Sequence, residues 1–200
     1  MDTDPFWTLI AECRRQGLRG DKRDAWLRDA LTRLPPDGIV HFQACLEHVT
    51  DQAFSWNLWA AADRVFGGWC SDDTFCYFQR WMIGLGRPVF ESVVHDPDAL
   101  AYAPEVLRLS GLPRAAWGED WPEWESLSYL APEAFETVTG ATDDGDSFHA
   151  ATTVLLDSDR PYRLRPTAPS GSRWSVLDEP EAARRLPRLS VMFPLPEGTG

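Results

Sequence analysis

Between Trp56 and Phe66, apolar side chains fall on every side of a helical wheel, interrupted mainly by Asn57, Asp63 and Arg64. A helix of that kind has no face to offer water, so it belongs inside a bundle and the rest of the chain must cover it. Gly67-Gly68 ends it. Ser71-Asp72-Asp73 then offers a cap for a second helix, whose apolar stripe is Phe75, Phe78, Met82 and Leu85. Two adjoining apolar helices are therefore the expected heart of the fold.

The covering elements read clearly upstream. Thr3 or Asp4 caps a first helix with Pro5 in its first turn; Phe6, Leu9, Ile10 and Cys13 form its buried face, and Gly17 stops it. A second runs from Asp21 to Leu34, burying Trp26, Leu27, Ala30, Leu31 and Leu34 before Pro35-Pro36 ends it. A third, from Asp37 to Thr50, buries Ile39, Phe42, Leu46 and Val49. From Glu91 to Gly140 shorter helices are expected, with Asp96-Pro97 and Trp121-Pro122 each read as a cap followed by a first-turn proline. Beyond Gly140 the stretch from Thr142 to Ser147 is turn chemistry. The later runs Ala151 to Leu156, Tyr162 to Arg165, Trp174 to Leu177 and Leu189 to Phe193 have strand character. The fold predicted is mainly α: a compact multi-helix bundle over residues 1–140, with an irregular C-terminal extension, 141–200, packed on it and containing a short β-hairpin.

Of the 200 residues 44% are hydrophobic, enough for one real core. The formal charge of −12 comes from 31 acids against 19 bases, so nucleic acid and anionic membrane surfaces would repel the chain, and neither is an expected partner. The acidity is local. From Glu91 to Glu136 there are ten acids against Arg108 and Arg114, whereas residues 1–40 hold seven of each sign. No basic start, no apolar run of signal length and no membrane-spanning stretch is seen, which points to the cytoplasm. Cys13, Cys45, Cys70 and Cys76 are scattered through helix-like segments and read as reduced thiols. There is no Gly-x-Ser-x-Gly elbow, phosphate-cradling glycine loop or dinucleotide fingerprint, so no cofactor is expected.

The run Trp56-Asn57-Leu58-Trp59-Ala60-Ala61-Ala62, followed by Gly67-Gly68-Trp69-Cys70-Ser71-Asp72-Asp73-Thr74-Phe75-Cys76-Tyr77-Phe78-Gln79-Arg80-Trp81-Met82-Ile83-Gly84-Leu85-Gly86-Arg87, resembles the signature of the bacterial domain-of-unknown-function family DUF 4240. Phe6-Trp7-x-Leu9-Ile10 and His95-Asp96-Pro97-Asp98-Ala99-Leu100 extend the likeness over roughly residues 1–135. Gln79 and Met82 depart from it, at positions where the family pattern has arginine and leucine. The resemblance implies a compact helical domain and no particular reaction.

Two constellations could carry function. In the first, Asp63, Asp72 or Asp73, Arg80 and Arg87, walled by Trp56, Trp59 and Trp81, line a cleft between the two central helices and hold a polar ligand, the arginines clamping a carboxylate or phosphate. The structural alternative is that Ser71, Asp72 and Asp73 cap a helix while an Asp63 to arginine pair fixes register. Asp72 and Asp73 are not an acid/base pair, because neighbours on a helix point about 100° apart.

In the second, Trp117, Glu119, Asp120, Trp121, Glu123 and Trp124 present indoles and acids to a cationic partner, unless the tryptophans simply pin a loop to the core. His41, Cys45 and His48 share a strip of the third helix but lack companion ligands, and Asp143-Asp144-Gly145-Asp146 lacks the order of a calcium loop, so no metal is expected. The leading expectation is a non-catalytic binding protein whose acidic, Trp-rich surface meets a basic protein or peptide, in an immunity or antitoxin-like role. The alternatives are an enzyme or small-ligand receptor using the Asp/Arg cleft, and an accessory protein of peptide biosynthesis.

Overall fold

A computed structural model describes residues 1–142, 145–159 and 167–195. Eleven α-helices follow one another among the described residues: α1 (Asp4–Arg15), α2 (Gly20–Leu31), α3 (Pro36–Gln52), α4 (Trp56–Phe66), α5 (Asp72–Gly84), α6 (Arg87–His95), α7 (Pro104–Leu109), α8 (Leu127–Thr139), α9 (Asp146–Asp159), α10 (Glu179–Arg185) and α11 (Pro187–Met192). Short 3₁₀ turns connect some of them. No described helix is long and apolar enough to cross a membrane.

The signals that begin and end these helices are the ones the sequence carries. Pro5 sits in the first turn of α1, and Arg14 and Arg15 lie in its last turn, opposite in sign to that end of the helix dipole. Ser55 caps α4 by accepting the Leu58 N–H at 3.2 Å, and Ser71 caps α5 by accepting the Thr74 N–H at 3.0 Å. Gly67, at φ +98°, closes α4 in the left-handed conformation.

The C-terminal hairpin is not there. Ala151 to Leu156 lies within α9 and Leu189 to Phe193 runs along α11, while Trp174 to Leu177 is irregular and Tyr162 to Arg165 falls outside the described residues. No strand occurs among the described residues, only an isolated bridge between Ser55 and Ser170. Phe148 and Thr152 are buried one turn apart, as are Leu186, Leu189, Ser190 and Phe193 at helical spacing, and that periodicity overrides the β-branched content of these runs. Trp121-Pro122 also starts no helix; the chain stays irregular until α8 begins at Leu127.

The chain divides into two compact units, each built from separate stretches: residues 1–51 with 124–165, and residues 52–123 with 166–200. The first holds α1, α2, α3, α8 and α9. Phe6 packs edge-on against Trp7 at 5.1 Å and lies 5.0 Å from Phe42, joining α1 to α3. Asp24 of α2 is buried and accepts the Trp124 indole N–H at 2.8 Å and the Ser126 hydroxyl, which docks α2 at the start of α8. Arg23 lies over the Trp124 ring at 3.7 Å.

The second unit is built round α4, whose Leu58, Ala60, Ala61, Ala62 and Val65 are buried, together with Phe75, Phe78 and Met82 of α5, Phe90 and Val93 of α6 and Leu189 of α11. Each large apolar side chain so enclosed contributes roughly 1.5–3 kcal/mol. Asp98, only 2% exposed, accepts the backbone N–H groups of Arg188 and Leu189 at 3.1 and 2.9 Å and so caps α11 from 90 residues away. The family-like His95 to Leu100 stretch thus includes a structural aspartate.

Candidate functional site

Within the second unit, the turn between α4 and α5 folds back because Gly67 and Gly68 both take positive φ, at +98° and +114°. The Cys70 N–H then reaches an Asp63 carboxylate oxygen at 2.7 Å. That hydrogen bond ties the last turn of α4 to the approach of α5. Beside it opens a cleft of about 380 Å³ lined by Trp56, Trp59, Ala60, Asp63, Trp69, Cys70, Ser71, Asp72, Arg173 and Trp174.

The aromatic wall is a continuous stack. Trp56 lies 5.4 Å from Trp59, whose ring is stacked on Phe75 at 4.5 Å, so the two indoles are backed by the core. Trp69 is the opposite case, with 74% of its surface in water. An indole left that exposed at the mouth of a cleft is available to a ligand.

The far wall comes from the C-terminal segment. Ser170 is bound on both sides, its carbonyl accepting the Trp56 N–H at 2.9 Å and its own N–H donating to the Phe54 carbonyl at 3.0 Å. Trp174 donates its indole N–H to Asn57 at 3.0 Å. Between these anchors the Arg173 guanidinium lies 4.9 Å over the Trp56 ring.

Burial among the indoles pushes the Asp63 carboxyl above its ordinary value, partly offset by the hydrogen bond from Cys70 and the positive charge of Arg173. Burial, and then the neighbouring Asp63 charge, drive the Cys70 thiol upwards, so it stays protonated at neutral pH and is no nucleophile. With two carboxylates against one guanidinium, the cleft carries a net charge of about −1 even with Arg173 in place.

Of the residues expected in this cleft, Trp56, Trp59, Asp63 and Asp72 line it. Asp73 is exposed in the first turn of α5 and is not a lining residue, and Trp81 is buried against Phe78 at 5.4 Å. Arg80 turns back along its own helix to the carbonyl and sulfur of Cys76. Arg87 pairs with Glu91 at 2.6 Å. Its helical phase with Arg80 is lost because Gly86, at φ +91°, separates α5 from α6.

Sequence reasoning missed Trp69, Cys70, Arg173 and Trp174. Arg173-Trp174, a basic and aromatic pair in an acidic chain, was the available signal. It also gave no role to Arg64, which is 2% exposed and donates to Glu179 at 2.8 Å and to the carbonyls of Ser190 at 2.9 Å and Val176 at 3.4 Å.

The acidic tryptophan stretch is split. Trp124 is buried in the first unit on Asp24. In the second, Trp117 is buried against Trp121 at 5.2 Å and Phe193 at 6.2 Å, while Trp121 packs on Phe66 at 5.6 Å and keeps 38% exposure. Glu119 is exposed, Asp120 and Glu123 partly so, with Asp120 3.8 Å from Arg108. Two of the three indoles therefore act as anchors. On α3, Cys45 lies 3.6 Å from His41, and no group of three His, Cys, Asp or Glu side chains among the described residues could hold a metal.

No curated protein and no solved structure matches the chain. A family model, described as a protein of unknown function (DUF4240), matches residues 1–137 and so takes in α1 to α7 and most of α8, including the cleft residues from Trp56 to Asp72 but not Arg173 or Trp174. The chain belongs to the DUF4240 family.

Proposed function

We propose that this protein is a non-catalytic binding protein that recognises a basic protein or peptide, and that the cleft beside α4 and α5 takes one of the partner's cationic side chains. One observation carries the reading: the chain's own Arg173 already lies over Trp56 in a cleft that also holds Asp63 and Asp72. Indole faces attract a cation through their negative quadrupole, and carboxylates supply the counter-charge. A carboxylate ligand is disfavoured there, because Arg173 is outnumbered by the two aspartates and Arg80 and Arg87 are engaged elsewhere. The high thiol pKa of Cys70 speaks against covalent catalysis at this place.

Titration calorimetry with an acetylated, amidated peptide of alternating glycine and arginine tests the reading. The wild-type protein is expected to bind it, and Asp63→Asn with Asp72→Asn to weaken binding by roughly tenfold, the loss of charge-assisted pairing in a half-enclosed site. Charge reversal at Glu119, Asp120 and Glu123 is the control. If that change abolishes binding while the aspartate variants leave it intact, the acidic surface is the site and the cleft is not.

A further inference from the structure

We infer that Arg173 is a resident occupant of the cleft, holding in cis the place that an arginyl side chain of the partner takes in trans. This rests on the reading above and adds to it the ligand group, a guanidinium, and a means of regulating access.

Arg173 differs from the other arginines of its unit in how it is held. Arg64 and Arg114 donate to backbone carbonyls, Arg185 to Glu181 and Asn57, and Arg188 to Asp98. Among the described residues Arg173 has no hydrogen-bonding or ion-pair partner; the Trp56 ring face and the field of Asp63 hold it. It is exposed, and such a contact is worth little against water, so a better-placed cation displaces it readily.

The backbone on either side is fixed independently of that side chain. Ser170 is hydrogen-bonded to Phe54 and Trp56, and Trp174 to Asn57. The Arg173 side chain therefore leaves by changing rotamer, with the segment still attached and Trp174 still in the wall. When it leaves, the cleft retains Asp63 and Asp72 uncompensated, which favours the incoming cation. A planar guanidinium lies flat on an indole while directing N–H groups at a carboxylate, so arginine is preferred to lysine.

The experiment compares wild type and Arg173→Ala with the same arginine peptide and its lysine counterpart. Removing the resident is expected to tighten arginine-peptide binding roughly two- to fivefold, the worth of one exposed cation–π contact, with the lysine peptide weaker for both proteins. In wild-type protein, saturating peptide is also expected to remove the ring-current shift on the Arg173 side-chain N–H in the NMR spectrum. Unchanged or weaker binding by Arg173→Ala overturns the inference; if Asp63→Asn still loses binding, the function proposed above stands. Absence of peptide binding by both wild type and Arg173→Ala overturns both.

Discussion

Arg64 brings a full positive charge into the centre of the second unit, where 2% of its surface meets water. Glu179, itself half-exposed, supplies the counter-charge, and the carbonyls of Val176 and Ser190 accept from the two terminal guanidinium nitrogens. The arginine thereby attaches α4 to the segment holding α10 and α11. Arg64→Leu leaves two buried carbonyls without that donor and is expected to lower stability by about 3 kcal/mol in urea denaturation. Glu179→Gln keeps the carbonyl contacts and is expected to lose about 1 kcal/mol. Equal losses would place the whole effect in the ion pair. An arginine within an apolar helix announces that it needs partners. What the sequence does not announce is that they lie more than 110 residues away, because nothing in local spacing records a long-range contact.

At the scale of elements, the helices from α1 to α5 were legible because Pro5, Gly67 and Ser71 mark ends and the apolar period marks faces; Pro35-Pro36 was expected to end α2, but α2 already stops at Leu31 and Pro36 opens α3. The cleft was half legible for the same reason: Trp56, Trp59, Asp63 and Asp72 all come from α4 and α5. Its far wall was hidden in a tail read as strand-bearing, where Ser170 to Trp174 is irregular and, further on, Asp98 and the buried spacing of α11 make the chain helical. Gly67 shows how an element's end is fixed. Its φ of +98° disfavours any side chain, and a Cβ there would lie 2.9 Å from the guanidinium carbon of Arg114, whose Nε–H caps the end of α4 by donating to the Val65 carbonyl at 2.9 Å. Gly67→Ala is expected to cost about 1–2 kcal/mol. Adding Arg114→Ala relieves the close approach but not the backbone, so the double variant should recover little in a denaturant midpoint; full recovery would show that the contact, not φ, sets the requirement.

For the whole molecule, the net charge of −12 acts on any basic partner before contact, so association with the arginine peptide is expected to slow as salt is added while the cleft's short-range preference for arginine over lysine persists. Acid provides the sharper test, because stability and binding respond to Asp63 with opposite signs. Burial raises its folded pKa above that of the unfolded chain, so the ionised form opposes folding; as pH falls through the folded value, Asp63 adds to stability. The cation needs the ionised form, so affinity falls through that same window, above the ordinary aspartate value. Asp51, also raised by burial, shares the stability sign. Glu181 has the opposite one: Arg184 and Arg185 hold it down to about 2, so its contribution is present above its unfolded pKa and drains away as pH falls towards that value. The difference between wild type and Asp63→Asn isolates the one group. The variant's peptide affinity should depend less on pH in that window, where wild-type affinity drops towards the variant's as protons are taken up. Proton uptake on peptide release, read as a buffer-dependent calorimetric heat, should be larger for wild type than for Asp63→Asn; wild-type affinity that stays constant as the carboxylate titrates would remove Asp63 from the site.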